Sequence, residues 1–233
     1  MGQIDSIPTI VVLISADIEW QVIGELFPEA DTQVSPFGEW FSLSLSPSLS
    51  PITFFHGGWG KIAAAASTQY AIDRWGPDLL VNLGTCGGFA GEIEKGEIIL
   101  VEHTIVYDII EQMGDLDEHI AHYTTDLDLS WLGDDYPKDA RRSLLVSGDR
   151  DLLVEDIPEL KSRYGAIAGD WESGAIAWVA QRNGVKTLIL RGVSDLVGDD
   201  GSLAYGDMEY FKDGAREIMG RLLKIMTEWL KII

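Results

Sequence analysis

The chain has little with which to do redox or metal chemistry. Its single cysteine, Cys86, cannot form an internal disulfide. His56, His103, His119 and His122 are scattered and join no Cys/His cluster of zinc spacing, so a reducing interior with no metal and no cofactor is expected. Basic residues are also scarce: 17 Lys and Arg stand against 38 Asp and Glu, a formal charge of −21 over 233 residues. Such a surface repels nucleic acid and anionic membrane. The expected partner is a small molecule that is neutral, cationic or locally zwitterionic. No apolar run is long enough to span a bilayer, and the start lacks a basic segment followed by an apolar core, so a cytoplasmic location is expected. Met1-Gly2-Gln3-Ile4-Asp5-Ser6 matches the myristoylation pattern in form only, since nothing basic accompanies it. Internal repeats, linkers and low-complexity tracts are absent as well.

What is present is a packed globular composition, 46% hydrophobic with eight Trp, and residues 1–233 fit one domain. Four short runs rich in apolar residues, Thr9 to Ser15, Leu79 to Leu83, Glu97 to Glu102 and Ser143 to Ser147, have the look of buried strands. Thr187 to Leu190 is a fifth, and it reads as central. Helical periodicity follows several of them, at Asp17 to Phe27, Ile62 to Trp75 and Ala175 to Gln181, and a long amphipathic helix closes the chain at Met208 to Leu230. Gly38 to Phe55, broken by Pro47 and Pro51, reads as a hairpin or a pair of edge strands. Tyr107 to Trp131 has little periodicity and reads as an excursion that covers a pocket or meets another subunit. Alternating strands and helices imply an α/β sandwich.

In such folds ligands bind beyond the carboxyl ends of the strands, and polar residues gather there. Arg191-Gly192-Val193-Ser194-Asp195 ends the central run. Asp17-Ile18-Glu19-Trp20 follows the first strand, where Glu19 suits either a base or a helix N-terminus that favours acidic side chains. Gly57-Gly58-Trp59-Gly60-Lys61 lets the backbone approach a ligand before a helix. Tight turning alone would also account for its glycines. Gly84-Thr85-Cys86-Gly87-Gly88 reads as a small-residue loop after Leu79 to Leu83, and Gly148-Asp149-Arg150-Asp151-Leu152 follows Ser143 to Ser147.

Gly58-Trp59-Gly60-Lys61, Asn82-Leu83-Gly84-Thr85-Cys86-Gly87-Gly88, Val146-Ser147-Gly148-Asp149, Trp171-Glu172-Ser173-Gly174-Ala175 and Arg191-Gly192-Val193-Ser194-Asp195, five motifs in this chain order, resemble the nucleoside phosphorylase and nucleosidase superfamily, nearest to the methylthioadenosine/S-adenosylhomocysteine nucleosidases. The resemblance covers about residues 9 to 230. It implies a three-layer sandwich with a central mixed, largely parallel sheet flanked by helices, and hydrolysis of a purine nucleoside at its N-glycosidic bond. It also implies a homodimer or higher homo-oligomer. Asp195 would be the acid at the purine N7, oriented by Ser194, and Glu172 would hold the ribose hydroxyls. Trp171 would lie along sugar and base, with Thr85, Cys86 and Gly87 lining the wall. Leu152 would present backbone to the purine edge, with Asp151 at the base-stacking position, and Arg191 and Gly58 would complete the binding set. A Glu of the first loop activates water in these enzymes, and Glu19 is one position from the expected place, which Trp20 fills. Gly169-Asp170-Trp171-Glu172 stands where Val-Glu-Met-Glu is usual, so Trp171 replaces the Met, and Asp151 replaces a frequent aromatic.

The chemistry asks for this inventory: an acid for a poor purine leaving group, and a carboxylate beside a sugar that becomes cationic. A phosphate dianion would need paired cations, and the first loop has none, which favours water over phosphate as nucleophile. A phosphorylase and a catalytically silent nucleoside-binding protein are the alternatives.

Overall fold

A computed structural model describes residues 8–45, 51–133 and 139–230. The Met1 to Ser6 pattern and Pro47 lie outside them. The elements are, in order, β1 (Ile10–Ile14), α1 (Asp17–Leu26), β2 (Gln33–Val34), β3 (Glu39–Leu43), β4 (Ile52–His56), α2 (Lys61–Trp75), β5 (Leu79–Phe89) and β6 (Ile98–Val106). Then come α3 (Leu116–Tyr123), β7 (Thr125–Asp126), β8 (Ala140–Ser147), α4 (Ile157–Tyr164), β9 (Ala168–Asp170), α5 (Ser173–Arg182), β10 (Lys186–Gly198), β11 (Gly201–Ser202) and α6 (Met208–Trp229).

One mixed sheet joins the strands. β1 pairs in parallel with β4 and β5, β5 in parallel with β10, β6 in parallel with β8, and β8 in parallel with β9. β10 meets β6, and β9 meets β5, antiparallel. Strands β5, β10, β6, β8 and β9 therefore close into a ring, and β1, β4, β3 and β2 extend from it. Helices cover both faces, because side chains alternate along a strand. Ile10, Val12 and Ile14 of β1 pack with Val22 and Ile23 of α1 and with Leu222 and Met226 of α6. Val11 and Leu13 face the other way, onto Ala64 and Ala71 of α2 and Ile176 and Ala180 of α5. This is the flanked α/β arrangement expected from the alternating pattern.

Two strands run further than their apolar stretches suggest. β5 continues through Gly84 to Phe89, and β10 continues through Asp195 to Gly198. The glycines serve close packing rather than turning: a methyl on Gly84 would lie 1.7 Å from Arg191 Nη1, and one on Gly192 would lie 2.3 Å from Ile218. The Gly38 to Phe55 region is a hairpin, β3 against β4, but β4 is no edge strand, because β1 pairs with its other side. The Tyr107 to Trp131 segment carries α3 and β7, and none of its residues lines the cavity described next.

Candidate active site

The carboxyl ends of β1, β5, β8, β9 and β10 open onto one cavity of about 740 Å³, a size that suits a small organic ligand. The first turn of α1 contributes Asp17 and Glu19, β5 contributes Thr85, Cys86 and Gly87, and the loop after β8 contributes Arg150, Asp151 and Leu152. Asp170, Trp171 and Glu172 come from the junction of β9 and α5, and Ser194 and Asp195 from β10. The pairing of β10 with β5 shifts register between Val193 and Asp195, a bulge of the kind that re-aims side chains near binding sites. Asp195 and Glu172, expected at the two halves of one ligand, thus line the same cavity.

Glu19 is 2% exposed. Its Oε1 accepts from the Thr85 amide at 2.6 Å and the Thr85 hydroxyl at 2.8 Å, and its Oε2 accepts from the Ala16 amide at 3.3 Å. Trp20 faces away: its ring stacks on His56 at 5.5 Å and its Nε1 donates to Glu39 at 2.9 Å. One residue along a helix turns the side chain by about 100°, so the cavity receives Glu19 and the hairpin receives Trp20.

Glu172 Oε1 accepts from the Gly60 amide at 2.9 Å. Gly60 caps α2 with φ at +83°, a conformation costly for other residues. Burial first, then the neighbouring Asp170 carboxylate, push the Glu172 carboxyl up to about 8. Burial likewise raises Glu19, against the opposing pull of Arg191 and Thr85.

Arg191 and Gly58, expected in the binding set, do not line the cavity. Arg191 is 0% exposed and lies beneath the floor, where Nη2 meets Asp170 at 2.8 Å and Asn82 Oδ1 at 2.8 Å, and Nε donates to Ser173 at 2.9 Å. The reason is strand parity: Arg191 alternates in phase with Ile189 and Val193, which are buried in the core, so a cation read as facing the ligand faces inward instead. Its charge supports the carboxylates from below. Gly58 is passed over because its neighbours do the work, Trp59 lining the cavity and Gly60 holding Glu172.

Asp170 was visible only as a departure from the usual motif, yet it anchors the layer. Its carboxylate accepts from Ser147 at 2.6 Å and from the Ser173 hydroxyl at 2.5 Å besides meeting Arg191. At the other end, Ser194 donates to Asp195 Oδ1 at 2.6 Å and Ser202 donates to Oδ2. Ser202 and Tyr205, whose hydroxyl donates to the Leu152 carbonyl at 2.9 Å, went unread in the sequence. The signal available was the Gly198-Asp199-Asp200-Gly201 turn that folds the chain back. With Asp151 in place of an aromatic, ring surface comes from Trp59, Trp171, Tyr205 and Phe211, and Trp59 meets Trp171 edge-on at 5.9 Å.

Residues 10–134 match the Phosphorylase superfamily, just over half of the 233 residues. The chain belongs to this superfamily. A 5'-methylthioadenosine/S-adenosylhomocysteine nucleosidase of Oceanobacillus iheyensis is 28% identical over 159 residues, 64% of this chain and 69% of that protein. Among solved structures, the apo 5'-methylthioadenosine nucleosidase of Arabidopsis thaliana superposes with a TM-score of 0.79 at 21% identity, covering 97% of this chain and 99% of that one. A Neisseria meningitidis 5'-methylthioadenosine/S-adenosylhomocysteine nucleosidase, in complex with methylthio-immucillin-A, gives 0.77 at 20% identity, covering 97% and 100%. This superfamily member therefore shares the whole fold of those structures, as the motifs implied.

Proposed function

We propose that the chain hydrolyses the N-glycosidic bond of a purine nucleoside, of which methylthioadenosine and S-adenosylhomocysteine are the first candidates. The observation that carries this reading is that Asp195 and Glu172 line one cavity with Glu19. Asp195 gives a proton to the purine N7 as the bond breaks, with Ser194 holding its carboxyl group. Glu172 holds the ribose hydroxyls and complements the charge that grows on the sugar, so binding favours its ionised form. Glu19, fixed by Thr85, takes a proton from the attacking water. Trp171 covers sugar and base, Cys86 and Gly87 form the wall beside them, and Leu152 meets the base edge.

Water is favoured over phosphate by charge. Among the described residues the cavity has seven carboxylate side chains and one cation, Arg150, which is paired with Asp156 at 3.2 Å. Arg191 is committed to Asp170 below the floor. A dianion entering there would meet repulsion without paired donors.

The reading takes residues 1–233 as one domain that works as a cytoplasmic homo-oligomer. The exposure of Trp59, Ile62, Ile110 and Met113, at 60%, 85%, 82% and 100%, supports a covering partner. Among the described residues no helix is long and apolar enough to cross a membrane. Incubation with a panel of purine nucleosides tests the activity. Release of free base without phosphate is expected, and intact nucleosides throughout would refute it.

A further inference from the structure

The polar groups at the base end of the cavity already carry hydroxyls supplied by the chain itself. Tyr205 donates to the Leu152 carbonyl at 2.9 Å, and Ser202 donates to Asp195 Oδ2. The two act together, because the Tyr205 amide donates to the Ser202 carbonyl at 3.1 Å and the Ala204 amide to the Ser202 hydroxyl at 3.1 Å. Ser202 belongs to β11, which pairs with β10 at Val197, and the turn that follows it is open to solvent. Leu203 is 74% exposed, and Gly201 and Gly206, at φ +83° and +81°, bracket it with backbone that changes direction cheaply.

Leu152 is the opposite. Its side chain sits over β5 and β9 so closely that a methyl on Gly87 or Gly169 would come within 3.0 or 2.9 Å of it. Its carbonyl is a fixed acceptor, and an amino group on an incoming base is a donor of the kind that acceptor suits. The phenol stands where that donor would approach.

We propose that Tyr205 is a specificity-determining residue: its hydroxyl competes with the exocyclic amino group of a 6-aminopurine for the Leu152 carbonyl, and so narrows the preference for such bases over purines lacking that group. This rests on the nucleosidase reading, which puts the base between Asp195 and Leu152. The competition needs no change in the chemistry of bond cleavage, only an exchange of one neutral donor for another.

The test is the dissociation constant of adenine and of unsubstituted purine, measured by calorimetry on the wild-type protein and on Tyr205→Phe. The variant keeps the ring, and a melting curve checks its fold. Losing the competing hydroxyl is expected to tighten adenine binding roughly five-fold, the ~1 kcal/mol of one neutral hydrogen bond, while purine binding stays within about two-fold. A ratio of the two constants equal in both proteins would overturn the proposal, whether because the oxygen serves both donors or because the segment merely loosens for every ligand. Weaker adenine binding in the variant would overturn it too. Failure of both bases to bind either protein would remove the nucleosidase reading and this proposal together, whereas an unchanged ratio with tight binding removes only the role of Tyr205.

Discussion

At the end of the cavity that holds Glu19 and Glu172, carboxylates accept from backbone amides and lie above a fully buried guanidinium; at the Asp195 end, both carboxylate oxygens meet serine hydroxyls. The first end is assembled from β1, β5, β9 and β10 and cannot shift without moving the sheet. The second is completed by Ser202 of β11, paired with β10 at Val197, and by Tyr205 on the turn that follows, between two glycines at positive φ. The contrast suits the proposed reaction. The sugar's developing charge needs preorganised groups, whereas the base must enter, take a proton and leave.

The largest effect is expected from Asp195→Asn, which keeps the shape, with one serine hydroxyl turned to accept from the new amide, but has no proton to give. Its turnover should fall by about 10² to 10⁴, the usual worth of a placed acid, while nucleoside binding by calorimetry persists. A variant that loses its fold instead would make Asp195 a scaffold residue like those of the other end. Arg191→Met attacks that other end. It leaves Asp170, Glu19 and Glu172 without their common cation, and removing one partner of a buried ionic group costs about 3–5 kcal/mol. Denaturant unfolding measures this, and a loss below ~1 kcal/mol would mean that the buried layer is no scaffold.

The pH dependence sharpens the contrast further. Burial and Asp170 raise Glu172 in the folded chain, to about 8 from an ordinary 4.5. A raised carboxyl favours the folded state fully below its unfolded pKa and loses that contribution as pH rises through its folded pKa. Stability should therefore fall between about pH 5 and pH 8, less steeply in Glu172→Gln, with part of the slope left because Glu19 is raised as well. Melting curves at several pH values check this, and equal slopes in the two proteins would contradict it. The smallest effect belongs to Ser202→Ala, about 1 kcal/mol of stability for one hydroxyl contact. A loss above ~3 kcal/mol would show the base end to be as fixed as the sugar end.

Much of this was legible in residue order. Apolar runs located the strands of the sheet core, and the stripe Ile218, Leu222, Leu223, Ile225, Met226 and Trp229 located α6, whose members are all buried. Motifs at strand ends named most of the residues that meet in the cavity. Local sequence misleads where glycine packs rather than turns, so β5 seemed to end before Gly84, and where a ring closes through β9 and β10, far apart from β5 in the chain. The helix α4, with a single buried residue, Leu160, gives too weak a stripe to read. Arg191 was visible as a cation, but its inward direction depends on the phase of β10. Ser202 and Tyr205 depend on a turn that brings them back over Asp195, and spacing along the chain does not encode that return.

The central claim is that one cavity breaks a glycosidic bond with water, the base leaving on the proton of Asp195. Turnover of methylthioadenosine in ¹⁸O-labelled water with phosphate present, read by mass spectrometry of the sugar, tests it directly. The account predicts a free sugar carrying the label at its anomeric oxygen. An unlabelled sugar 1-phosphate, or a nucleoside left intact, would contradict it.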